Sequence, residues 1–139
     1  MISSAACGAV VAYYFQSIPC AVVSFLAGTL IDADHFLDYY WNRPFTLDLR
    51  QIYRIHESRA LTHIYIIFHS FELLFIIWLV IWIFSLNSIF AAAAIGMTQH
   101  FILDMITNPL TALGYFFTYR IIKRFRADLI LKNWRGESS

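Results

Sequence analysis

Three short strings of acidic and histidine residues interrupt an otherwise apolar chain: Ile31-Asp-Ala-Asp-His-Phe-Leu-Asp38, His69-Ser-Phe-Glu72 and His100-Phe-Ile-Leu-Asp104. Carboxylate oxygens and imidazole nitrogens are the donors that hard to borderline divalent metals take. Asp32 and His35 stand three residues apart, as do His69 and Glu72, while His100 and Asp104, like Asp34 and Asp38, stand four apart. On a helix each of these spacings puts both partners on one face. Brought together, they could hold one metal ion or two, activate a water and stabilise a phosphoryl or carbonyl oxygen. Taken singly, each string has a plainer reading. A histidine in an apolar helix can be a hydrogen-bonded packing group, and Asp32 to Asp38 can be a charge patch at a helix end. Glu57 and Arg59 read as a loop ion pair, and His56 and His63 as solvated groups or supports behind the ligands.

The elements that must position these residues are helices in a membrane. The chain has 139 residues, of which 60% are hydrophobic and 14% charged, with a mean hydropathy of +0.62. A soluble domain would carry about a quarter of its residues as charge, so lipid must cover much of this surface. Apolar stretches run over residues 3–16, 19–40, 61–86 and 89–107. The first is too short to cross alone, since a span takes about 20 residues. The first two are either separate helices divided at Ser17-Ile18-Pro19 or one helix kinked at the proline. The expected architecture is an all-α integral membrane protein of one domain over residues 1–139, a bundle of three to four transmembrane or membrane-embedded helices. An interfacial segment over 110–126 follows, in which aromatics lead into cations. Cys7 and Cys20, far from any CxxC spacing, read as packing residues. No basic residue precedes the N-terminal apolar stretch, so a cleaved signal peptide is not expected. A net charge of +1 points to no nucleic-acid partner.

Cations set the orientation. Arg43, Arg50, Arg54 and Arg59 lie in the loop after the second stretch, and Arg120, Lys123, Arg124, Arg126, Lys132 and Arg135 in the tail. The other connections carry none, so the large loop and the C-terminus should both be cytoplasmic. Counting from the cytoplasmic helix ends at about 1.5 Å per residue, the three acidic and histidine strings all fall roughly 6–18 Å deep. They converge on one level, although the topology was derived from lysine and arginine alone.

Gly28-Thr-Leu-Ile-Asp32-Ala-Asp34-His35, with His69-Ser70 and the spaced pair His100 and Asp104, resembles the bacterial and archaeal membrane-bound metal-dependent hydrolase-like proteins. That family is distantly related to zinc-dependent phospholipase C. Ile31 stands where the family carries proline, and His56-Glu-Ser-Arg-Ala-Leu-Thr-His63 is a loose form of its histidine-rich loop. The resemblance implies a hydrolase in a prokaryotic inner membrane with zinc as cofactor. Together with the residue reading, it makes Asp32, His35, His69, His100 and Asp104 candidate metal ligands. Asp34, Asp38 and Glu72 are candidate catalytic acids or bases, and Arg54, Arg59 and Arg120 candidate holders of an anionic phosphoester or lipid-like substrate. The rival reading is a non-catalytic membrane subunit whose cluster holds a structural metal or packs against a partner protein or a second copy. On the topology, cysteines placed at positions 50 and 132 should both label from the cytoplasmic side of intact membranes. Labelling of either from outside would overturn the shared depth.

Overall fold

The computed structural model describes residues 2–42, 46, 48, 50 and 62–132. Ser17-Ile18-Pro19 separates two helices and does not kink one. Helix α1 spans Ile2–Phe15 and α2 spans Ile18–Leu30. Between them Gln16 takes a left-handed φ of 48°, and Ser17 caps α2 by accepting the Cys20 N–H at 3.4 Å. Pro19 then lies in the first helical turn, where its missing N–H costs nothing. The helical path continues through a 3-10 turn, Ile31–Ala33, into α3, Asp34–Asn42. Next come α4, Phe71–Ile83, and α5, Ser88–Thr107. A second 3-10 turn, Ala112–Tyr115, leads to α6, Phe117–Ile122, and α7, Ala127–Ile130.

Among the described residues the structure is helical without strands, holding only the isolated bridges His63–Arg126 and Leu110–Leu131. Two helical stretches, Ile18–Trp41 and Ser88–Thr107, are long and apolar enough to cross a membrane. The helix expected over 61–86 is much shorter. It begins at Phe71 and covers 13 residues, about 20 Å of rise against a hydrocarbon core of about 30 Å. Residues 62–70 are not helical, so His69 and Glu72 do not share a helical face: Glu72 opens α4 and His69 precedes it. The chain divides into two compact units, Met1–Ile31 with Phe71–Thr107, and Asp32–Ser70 with Asn108–Ser139.

The first unit is built on small residues. Cys20, Ser24 and Gly28 recur at four-residue spacing on α2, and Ser88, Ala92 and Gly96 do so on α5. The two stripes face each other in parallel register: Cys20 Sγ lies 3.7 Å from Ser88 Oγ, and a Cβ on Gly28 would stand 2.8 Å from the Gly96 carbonyl oxygen. Backbones this close gain dispersion contacts that larger side chains would forbid. Helix α1 joins through Ser4, whose hydroxyl donates to Gly28 O at 3.5 Å, and through Cys7, 3.8 Å from Ser24 Oγ. Val11, Cys20 and Ala92 are buried together, so both thiols do serve as packing groups, and both are free. Thr29 and Thr98 return their hydroxyls to the carbonyls of Phe25 and Ala94, which keeps them satisfied inside apolar helices. Helix α4 buries no residue; its Phe75 and Trp82 are exposed, and Trp78 Nε1 donates to Thr98 Oγ1 at 3.0 Å.

The helix contact yields an ordering of glycine substitutions. A Cβ on Gly96 would overlap the Ser24 carbonyl oxygen, a backbone atom, whereas one on Gly8 would stand 3.2 Å from Ala21 O. Gly96→Ala should therefore destabilise by about 1–3 kcal/mol, the usual cost of overpacking, and Gly8→Ala by much less. Thermal unfolding of both variants in one detergent checks the order.

Candidate metal centre

The second unit begins where the apolar helix turns acidic. Asp32 sits in the 3-10 turn, Asp34 opens α3, and His35 and Asp38 follow along it. The 3-10 turn widens the angle between successive residues to about 120°, so Asp34 leaves the axis on a different side from Asp32, whereas Asp32 and His35, three apart, stay near one face. Asp34 and Asp38 are buried, whereas the Asp32 side chain is 50% exposed and that of His35 31% exposed.

Residues 62–70 run beside this helix as a non-helical strap, extended through Ile66 and bent over 67–69. Burial alternates along Ile64, Tyr65 and Ile66, a two-residue period that suits an extended backbone and not a helix. Its first part pairs with the turn after α6. Ile64 N–H donates to Phe125 O at 2.8 Å, and Ala127 N–H donates to Thr62 O at 2.9 Å. Arg124 and Phe125 bring the chain back to that pairing with left-handed φ values of 51° and 58°, a conformation that costs a non-glycine residue about 1–2 kcal/mol. The Phe125 ring packs on Tyr65 at 4.9 Å between centroids, and Tyr65 stacks on His63 at 5.9 Å.

The rest of the strap is held by buried ionic side chains. Asp38 Oδ1 accepts the Tyr65 N–H, and Asp34 Oδ2 accepts the Phe68 N–H at 2.9 Å. Arg120, on α6, donates to the carbonyls of Ile66 and, at 3.0 Å, of His69. Its guanidinium also lies 5.5 Å over the Phe117 ring, a favourable placement for a cation. Arg120, expected to hold a substrate anion, is fully buried, with both terminal nitrogens directed at backbone carbonyls. Asp34 and Asp38, expected as catalytic groups, are likewise seen engaged with backbone N–H groups.

These contacts deliver His69 to the acidic turn. His69 Nδ1 lies 3.1 Å from Asp34 Oδ2. Against a carboxylate that only accepts, a neutral imidazole carries its proton on Nδ1 and leaves the lone pair on Nε2. Nε2 lies 3.6 Å from Asp32 Oδ1, and His35 Nε2 lies 3.7 Å from the same oxygen. The His35 and His69 rings are 5.1 Å apart, and one ligand atom from each of Asp32, His35 and His69 falls within 4.8 Å of the others. Ligand atoms on a tetrahedral ion with bonds of about 2.1 Å stand about 3.4 Å apart, so this donor set has both the chemistry and the spacing to hold a divalent metal. A carboxylate behind the histidine, fixing its tautomer and ring, is the support metal-bound histidines usually have.

In the first unit His100 Nε2 lies 3.5 Å from Asp104 Oδ1, one turn apart on α5 as their spacing predicts. Glu72, in the first turn of α4, favours that helix end electrostatically. Arg54 and Arg59, with His56 and Glu57, lie outside the described residues. In the tail Arg126 pairs with Asp128 at 2.7 Å, and its hydrogen bond holds that carboxyl below the usual range. The reading of the residues missed the strap's structural anchors. Their signal was present, since Asp34, Asp38 and Arg120 exceed what three ligands need, but nothing in spacing tells a ligand from a backbone acceptor. No known protein family, curated protein or solved structure matches the chain.

The strap's hydrogen bonds can be read one amide at a time. Asp38→Asn retains an acceptor oxygen and should leave the Tyr65 amide protected in hydrogen exchange. Asp38→Ala strands a buried N–H at a cost of about 1–3 kcal/mol and should expose that amide. Equal exchange in both variants would remove Asp38 as its partner.

Proposed function

We propose that this protein is a membrane-embedded, metal-dependent hydrolase of a prokaryotic cytoplasmic membrane, with its C-terminus on the cytoplasmic side. Asp32, His35 and His69 hold a divalent ion, zinc by the nature of the donors. The observation that carries the reading is the meeting of Asp32, His35 and His69 ligand atoms within 4.8 Å, with His69 backed by Asp34 at 3.1 Å. A catalytic site needs a coordination position left to water or substrate beside its protein ligands. A divalent ion bound there supplies Lewis acidity and lowers the pKa of a coordinated water. The chain's own groups do the remaining work. Asp34 orients His69, while the half-exposed Asp32 leaves one flank accessible to a substrate. The polar turn at the end of a long apolar helix suits a phosphoester or lipid headgroup, and the resemblance to membrane-bound hydrolases supports the same substrate class.

A second reading, a non-catalytic subunit with a structural metal, draws on α4, which buries none of its 13 residues and so offers a helix to a membrane-protein partner. Lipid covers such a helix equally well, so the hydrolase is preferred.

The test is elemental analysis of the protein purified in mild detergent, alongside hydrolysis of a panel of phosphoester and ester lipids. Wild type should carry metal and turn over at least one substrate. His35→Ala should lose both, and Asp34→Asn should bind metal about 10–100-fold more weakly. Loss of metal in Asp104→Asn would enlarge the ligand set. Metal-replete wild type that is inert across the panel would favour the subunit, and wild type without metal would end both readings.

A further inference from the structure

We propose that Arg120 is the positioning residue of the centre: its guanidinium holds both ends of the Ile66–His69 turn and thereby sets where the His69 imidazole stands. The inference rests on the metal reading for its consequence but not for its geometry. Four observations support it. Arg120 is 0% exposed, so it does not act as a surface anchor or a receptor for soluble anions. Its two terminal nitrogens donate to two carbonyls of one short turn, those of Ile66 and His69, 54 and 51 residues away in sequence. The second of those carbonyls belongs to the residue whose ring completes the ligand set. And the N–H side is gripped by Asp34 at Phe68 within the turn and by Asp38 at Tyr65 just before it, so without Arg120 the carbonyl side would lose the one charged donor seen to hold it.

Arginine suits the task for reasons of shape. Its planar fork presents donors in two directions at once and stays charged when buried, whereas lysine offers a single nitrogen and sheds its proton more readily in an apolar site. A carbonyl-bound guanidinium also brings positive charge into a unit whose ligand and support groups are acidic. The Phe117 ring, 5.5 Å from the guanidinium, and the backbone bond from Phe125 N–H to Arg120 O at 2.8 Å keep the residue in place from its own side. Removing the fork should therefore release His69 without unfolding the helices of the first unit.

The experiment compares wild type with Arg120→Lys and Arg120→Gln in the same detergent, helix content being followed by circular dichroism. Diethyl pyrocarbonate modification at His69, mapped by mass spectrometry against His63 in the same molecule, reads the ring's position. His69 should be protected in wild type and react at least tenfold faster in both variants. Cobalt(II) reads the consequence: its visible absorption should change shape in the variants, and its binding should weaken about 10–100-fold, the usual effect of losing a supporting group. A purely structural role would lower the melting temperature and leave the cobalt spectrum of the folded variant as in wild type. If wild type binds no cobalt, the metal reading falls while the modification arm still decides Arg120. Folded variants with His69 as protected as in wild type overturn the proposal. If neither variant folds, nitrogen NMR of wild type decides: terminal guanidinium protons of Arg120 that persist against exchange support the clamp, and rapid exchange refutes it.

Discussion

A stretch of non-helical backbone inside an apolar protein has to find partners for the N–H and C=O groups it carries, and here ions supply four of them. Helices satisfy their own backbone, which is why they fill most of this chain. Residues 62–70 do not, and each unmatched group in an apolar medium would cost several kcal/mol. Asp38 takes the Tyr65 N–H, Asp34 takes that of Phe68, and Arg120 serves the carbonyls of Ile66 and His69. Ions make stronger hydrogen bonds than neutral groups, and in an apolar setting the strap and its ions stabilise each other. Either alone would be an expensive thing to bury.

That mutual dependence explains why three aspartates sit within seven residues. Asp34 and Asp38 are buried and face the strap, while Asp32 is half-exposed and makes close approaches to His35 and His69. Helical geometry separates them. Two positions apart on a helix, Asp32 and Asp34 leave the axis about 200° apart, whereas Asp34 and Asp38, four apart, share a face and both reach the strap.

The legible part of this structure was what periodicity and punctuation encode. The helical class, the break at Ser17-Ile18-Pro19 and the end of α5 before Asn108-Pro109 all follow from apolar runs and proline chemistry, and so does the i,i+4 meeting of His100 and Asp104. The third apolar run misled because Ile64, Ile66 and Ile67 are as apolar as any helix interior. Composition does not distinguish a buried extended segment from a buried helix. Here the arbiter was long-range: an extended strap forms because Asp34, Asp38 and Arg120, distant in sequence, offer its backbone better partners than its own neighbours do. The burial of Arg120 is equally a long-range matter, since a cation after an aromatic run reads as an interfacial anchor from sequence alone.

The histidine gains most from this arrangement. A free imidazole chooses between two tautomers and several rotamers, and a ligand that must first be ordered binds more weakly by the cost of ordering it. His69 has its ring proton directed at Asp34, its carbonyl tied to Arg120 and its neighbour Phe68 tied to the same aspartate. Its Nε2 then faces Asp32 Oδ1 at 3.6 Å, two electron-rich atoms held toward each other by rigid surroundings. A proton on Nε2 would turn the approach into an ion pair, and a metal cation between the two atoms would serve equally. The strap therefore does more than survive in an apolar setting: it holds two donors at a spacing that only a positive charge makes comfortable.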